Sequence, residues 1–161
     1  MNVYETTVYN TAVNNEVPSV VALLIVAQAK HESSNFSSNV FKLNNNAFGY
    51  KYVGQSNAVR GSAAPSSEGD YYARYDTLAD SVIEVVDWWK RRIRQGLIND
   101  WSDIATVDNY SSALKKAGYY GDSVANYTAA LKKWFSTLSD GNELNYLAGA
   151  ALIFGLYYLL S

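Results

Sequence analysis

The sequence predicts a mainly α-helical domain with a small irregular or β-hairpin lobe, followed by an apolar C-terminal helix. Three observations carry that expectation. The run VVALLIVAQAKHE is apolar on nearly every face until Gln28. From Leu78 to Ile93 apolar residues recur at helical spacing. Between these two segments, Val53 to Tyr72 is Gly, Ser and Ala with Pro65 and a few charges, and shows no helical period.

Taken in order, a short polar helix precedes Pro18. Pro18-Ser19 then starts the central helix, because proline is tolerated in a first helical turn. About a dozen apolar residues are too few to cross a bilayer, so this helix reads as buried core. It ends near Ser33-Ser34, and SSNFSSNVFKLNNNAFGYK reads as loop, with Gly49 as a breaker. Alternation in GDYYARY marks a short strand or hairpin. Thr77-x-x-Asp80 resembles a capping box with Asp in place of the usual Glu or Gln. The helix it opens carries Leu78, Val82, Val85, Val86, Trp89 and Ile93 on one stripe, and Gly96 closes it. Lys90, Arg91, Arg92 and Arg94 suit the negative end of its macrodipole, or alternatively a site for an anionic ligand. Asn109 is read as the cap of a helix running to Gly118. A last helix from about Ser123 to Leu138 places Tyr127, Ala130, Leu131, Trp134 and Leu138 on one face. Asp140-Gly141 then makes a turn, which divides the chain into a domain at 1–141 and an apolar segment at 142–161.

Composition narrows the chemistry. The formal net charge of -2 over 161 residues argues against gripping a polyanion, so nucleic acid is not an expected partner. There is no cysteine, which removes disulfides and thiolate metal sites. A single histidine, His31, argues against Ser-His-Asp and His-rich zinc chemistry, and no metal or cofactor is expected. Carboxylates, tyrosines and amides remain. Fourteen tyrosines and four tryptophans supply rings for a core and for a sugar-lined cleft.

Glu32 stands where the most apolar helix runs out into a polar loop. A carboxyl at such a rim is partly desolvated, which disfavours its charged form and raises its pKa. An acid that stays protonated near neutral pH can deliver a proton to a glycosidic oxygen.

The surrounding words sharpen this reading. Ala27-Gln28-Ala29-x-x-Glu32-Ser33 is followed by Asn45-Asn46-x-Phe48-Gly49-x-Lys51, then Tyr75-x-x-Leu78-x-x-Ser81-Val82, then Gly118-Tyr119-x-x-Asp122 with Tyr127 and Leu131. In this order and spacing, over roughly Ala22 to Trp134, they resemble the glucosaminidase family of bacterial and phage peptidoglycan hydrolases (glycoside hydrolase family seventy-three). The resemblance implies a lysozyme-like fold and cleavage of β-1,4 bonds in glycan strands as an endo-N-acetylglucosaminidase. It places the catalytic acid on Glu32 and the active-site tyrosine on Tyr119, with Tyr120 as the adjacent alternative. It makes Asn45, Asn46 and Phe48 cleft residues, for sugar contact or for holding the loop. The family's second carboxylate lies in the variable lobe some thirty-odd residues after the acid, where this chain offers Glu68 and Asp70. Two departures stand out. Ser34-Asn35-Phe36 follows Glu-Ser, where the family has a small residue and an aromatic. The stretch from Tyr119 to Tyr127 is about two residues longer than the family's, with Ser123 where proline is common.

The tail carries no charge from Asn145 to Ser161. Sixteen or so residues at 1.5 Å each give ~24 Å, short of a ~30 Å hydrocarbon core but spannable with local thinning. The tail is read as a membrane or virion anchor, with a helix buried in the domain or in an oligomer as the alternative. The first residues lack a secretory signal, so a wall substrate suggests phage encoding, with the protein virion-associated or at the host membrane or wall. Two other readings stay in view. A lytic transglycosylase or muramidase of the same superfold also uses a Glu-Ser motif, but normally with a Gly-Leu-Met-Gln-like element that this chain lacks. A non-catalytic glycan-binding virion protein would keep the aromatics and tolerate loss of Glu32.

Overall fold

The computed structural model describes residues 1–65 and 69–139. Six α-helices are present among the described residues: α1 Val3–Asn14, α2 Ser19–Glu32, α3 Asn39–Asn44, α4 Leu78–Arg94, α5 Val107–Lys116 and α6 Val124–Ser139. One antiparallel hairpin, β1 Val59–Ala63 with β2 Tyr71–Arg74, forms the lobe between α3 and α4.

The central helix α2 owes its position to its composition. Val21, Ala22, Leu24, Ile25, Val26, Ala27, Gln28, Ala29 and Lys30 are all buried, which leaves almost no solvent face. It packs between α1 and α6, α1 also meets α4, and α5 lies on α6. A buried lysine in such a helix needs partners. The Lys30 ammonium pairs with buried Glu5 of α1, donates to the Thr137 hydroxyl of α6, and lies over the Trp134 ring. One cation therefore ties three helices together. Burying a Leu or Ile side chain is worth roughly 1.5–3 kcal/mol, and one core holds Leu24, Ile25, Val82, Val85, Leu114 and Leu131 together with Trp89.

The expected capping box at α4 is present: the Thr77 hydroxyl accepts from Asp80 N, and the Asp80 carboxylate accepts from Thr77 N at 2.9 Å. Its buried face contains Leu78, Val82, Val85, Val86 and Trp89, as the stripe requires. Three local expectations need correction. The segment read as loop after Ser33 contains α3, capped by the Ser38 hydroxyl and closed by Asn45 in the left-handed region at φ 50°. Six residues are too few to show a period. The strand in GDYYARY has its partner in Val-Arg-Gly-Ser-Ala, whose alternation is broken by a bulge between Arg60 and Ala63. The cap of α5 is Thr106, whose side chain accepts from Asn109 N, so Asn109 lies inside the helix.

The lobe is bound to the helical body through Asn44 at the end of α3. The Asn44 amide donates to the Ser62 hydroxyl and its carbonyl accepts from Ser62 N, at 2.8 and 2.9 Å. Gly61 makes this approach possible: a Cβ there would stand 2.3 Å from Asn44 Oδ1 and 2.8 Å from the Tyr72 carbonyl. On its other edge β2 pairs with residues 50–52, through Tyr52 N to Tyr71 O and Ala73 N to Tyr50 O, both 2.9 Å. No helix among the described residues is long and apolar enough to cross a membrane. The apolar helix expected at 142–161 lies outside the described residues, as does Glu68.

Candidate active site

Glu32 is the last residue of α2, and the chain turns sharply behind it. Ser34, Asn35 and Phe36 all take positive φ, at 51°, 57° and 60°. For non-glycine residues this costs roughly 1–2 kcal/mol each, so the surroundings must impose it. Ser33 does so from a buried position: its hydroxyl donates to the Ala29 carbonyl at 2.5 Å and accepts from Phe36 N at 2.7 Å. Its own carbonyl accepts from Ser37 N and Ser38 N. Phe36 is thereby turned inward to pack against Phe41 and Tyr4. The serine of the Glu-Ser motif thus builds the turn that leaves Glu32 at a rim.

That rim opens on a cleft of about 470 Å³ between the end of α2, the lobe and the α5–α6 connection. Glu32, Ser38, Val40, Phe48, Gly49, Tyr50, Lys51, Tyr72, Tyr119 and Tyr120 line it. The Tyr127 hydroxyl of α6 donates to Glu32 Oε1 at 2.6 Å. Burial pushes the Glu32 carboxyl above its ordinary range, and the Tyr127 bond pulls back only in part. Tyr127 is itself held far up by burial and by the Glu32 charge, so it remains a donor. Its ring stacks face to face on Tyr120, with centroids 3.9 Å apart, and meets the edge of His31. Burial lowers the His31 imidazole and Asp122 opposes it. A turn of α2 below, Gln28 Oε1 accepts from Tyr110, which accepts from Trp89 Nε1.

The residues singled out from sequence fall into three groups. Glu32, Phe48, Tyr119 and Tyr120 meet at the cleft. The Tyr119 hydroxyl donates to the Phe48 carbonyl at 2.7 Å, so this tyrosine fixes the loop of the Asn-Asn-x-Phe-Gly motif. Tyr120 donates to the Ser111 carbonyl and lies under the Lys115 ammonium. Asn45 and Asn46 hold the loop from behind. Asn45 donates to the Tyr75 and Asp76 carbonyls. Asn46, fully buried, donates to the carbonyls of Tyr50 and Ala73 while accepting from Phe48 N and Tyr50 N. Both amides are committed to backbone groups, Asn46 from a buried position and Asn45 from a half-buried one. Asp70 is exposed at the end of the hairpin and does not line the cleft.

Sequence reasoning placed Tyr127 only on an apolar helix face and in the motif. The structure makes it the hydrogen-bond partner of Glu32, and its place in the Gly-Tyr-x-x-Asp…Tyr signature was the available signal. Tyr50 and Tyr72 were not singled out as cleft residues. Tyr72 is carried there by β2, and Tyr50 by the loop beside it, whose carbonyl accepts from Ala73 N.

Neither a curated protein nor a solved structure matches the chain. The glucosaminidase family model, described as mannosyl-glycoprotein endo-beta-N-acetylglucosaminidase, matches residues 11–140. That span contains every motif and every cleft residue described above, with Glu32 at the rim of its most buried helix. The chain belongs to the glucosaminidase family and is a glycoside hydrolase that cleaves peptidoglycan.

Proposed function

We propose that the chain is an endo-acting N-acetylglucosaminidase in which Glu32 is the general acid. The observation that carries this is a carboxyl raised by burial, held by one phenolic donor, at the mouth of an aromatic-lined cleft. Glu32 gives its proton to the bridging oxygen as the bond from the anomeric carbon to that oxygen breaks. Charge then builds on the ring, and a second group must meet it from the other side. Glu68, in the lobe, is the proposed partner on its spacing from Glu32. A carboxylate ~5–5.5 Å away acts as nucleophile, and one ~6.5–9.5 Å away activates water.

A lytic transglycosylase is the second reading. It is favoured by one observation: among the described residues, Glu32 is the only carboxylate lining the cleft. Mass spectrometry of digested peptidoglycan separates the two. New reducing-end N-acetylglucosamine supports the glucosaminidase, anhydro sugars support the transglycosylase, and reducing-end muramic acid supports a muramidase. Amide variants of Glu68 and Asp70 in the same digestion test the second carboxylate. Full activity in both variants removes Glu68 from the mechanism.

The wider setting is a proposal too: a phage-encoded wall hydrolase used for lysis or penetration, with residues 142–161 meeting a membrane or virion. Its support is the wall substrate together with the uncharged run from Asn145 to Ser161.

A further inference from the structure

The charged side chains lining the cleft, among the described residues, are Glu32 and Lys51. They come from different parts of the fold. Glu32 ends the buried helix, while Lys51 sits on the lobe, bridged to Tyr72 of β2 in antiparallel register. The backbone on either side of Lys51 is fixed, because Tyr50 O accepts from Ala73 N and Tyr52 N donates to Tyr71 O. The Lys51 ammonium lies 3.6 Å from the centroid of the Tyr72 ring, itself a cleft wall. Side-chain entropy is the usual cost of using a lysine, and the strand pairing and the ring reduce it in advance. An ammonium carries three donors, so it can serve a ligand oxygen alongside partners within the lobe.

Lys51 brings a positive charge to the cleft wall, beside an aromatic ring and opposite the acid. A neutral polysaccharide gives such a group nothing that water does not. A glycan bearing carboxylates does.

We propose that Lys51, seated on Tyr72, binds a carboxylate of the glycan substrate and so distinguishes acidic strands from neutral ones. This rests on the glycan-cleaving reading above. In peptidoglycan the carboxylate has two sources, the lactyl group of muramic acid where it is unsubstituted and the stem peptide where it is not.

The test is equilibrium binding of the full-length chain carrying Glu32→Gln, so that no strand is cut. Four ligands are compared: peptide-free glycan strands, peptide-bearing strands, and each with its carboxylates converted to methylamides. Tighter binding of the free-carboxylate form, by about tenfold and shrinking with salt, is expected. Lys51→Gln should erase that preference and Lys51→Arg should retain part of it. A preference on peptide-free strands identifies the lactyl carboxylate, and one confined to peptide-bearing strands identifies the stem. Equal binding of charged and amidated strands, or a preference untouched by Lys51→Gln, overturns the assignment. If Lys51→Gln fails to fold, the parent chain's own preference and its salt dependence decide. Binding of no strand at all would remove the glycan-cleaving reading with it, whereas equal binding removes Lys51 alone.

Discussion

The Tyr127 hydroxyl meets Glu32 Oε1 at 2.6 Å across 95 residues of chain, linking the end of α2 to the first turns of α6. This bond favours the ionised carboxylate while burial favours the neutral acid, and burial wins. Tyr127→Phe removes the opposing influence and leaves burial alone. The Glu32 proton is then held to higher pH, so the alkaline limb of the kcat profile moves upward. Turnover at the optimum falls by about tenfold, because the carboxyl loses the contact that orients it. A pH profile of the variant checks the sign, and an unmoved limb would uncouple Tyr127 from the acid.

Glu32→Gln is expected to cut lysis by ~10²–10⁴-fold, the usual weight of general acid catalysis. It also has a signature in stability. A carboxyl raised in the folded state above its ordinary value of 4.5 holds its proton more tightly folded than unfolded. Stability from that group is present below the unfolded value and is lost as pH rises through the folded one. The neutral amide escapes the loss. Glu32→Gln should therefore raise Tm relative to the parent at pH 7 and have less effect at pH 4. A Tm difference from the parent that is the same at both pH values would contradict the desolvated acid.

The turn behind the acid makes a pair of opposed predictions. Ser33→Ala leaves the Phe36 N–H without its acceptor in a buried place, and should cost about 1–3 kcal/mol. Ser34→Gly relieves a left-handed residue, offset by extra freedom in the unfolded chain, and should stabilise by about 0.5–1 kcal/mol. Denaturant melts of both variants measure the two effects. If Ser34→Gly destabilises, the turn is not strained at that residue.

How much of this was legible depended on range. Local signals are legible: the capping box of Thr77 and Asp80, the stripe of α4, and the end of α2 near Ser33 are all short-range patterns. Elements defined by a distant partner were not. β1 has a bulge and a glycine, and only pairing with β2 makes Val59–Ala63 a strand. α3 is held by Ser38 and by Asn44 reaching the lobe, neither of which has a period. The site divides the same way. Glu32 was recognisable from the helix it ends and the serine that follows it. Asn45 and Asn46 were recognisable as loop residues, but only their partners show that they serve the backbone. The Tyr127 contact is a product of how α6 packs on α2, which sequence spacing does not encode.

Gly61→Ala tests the joint between lobe and body. Its methyl would stand 2.3 Å from Asn44 Oδ1, so either the hairpin shifts or the Asn44–Ser62 pair breaks. A loss of roughly 1–3 kcal/mol is expected, as for overpacking elsewhere. Lysis should fall further than stability alone explains, because Tyr72 and Lys51 enter the cleft from this lobe. Activity that tracks only the folded fraction would show that the lobe's position does not matter to the cleft.

The last prediction concerns the chain beyond α6. The family match ends at residue 140, and each described motif, apolar face and cleft residue lies before that point. A chain cut after Gly141 should therefore fold and lyse purified peptidoglycan at close to the full-length rate. The segment it loses, 142–161, runs from Leu147 to Leu160 almost without a polar side chain. Exposed as a helix, that run would form an apolar patch beyond the few hundred Å² a soluble monomer usually carries. Full-length protein should accordingly float with lipid vesicles, at least in part, while the shortened chain stays at the bottom of the gradient. A competing arrangement gives the opposite pattern. If full-length protein is monomeric in buffer and the shortened chain unfolds, the segment belongs to the core, and contact with a membrane or virion loses its support.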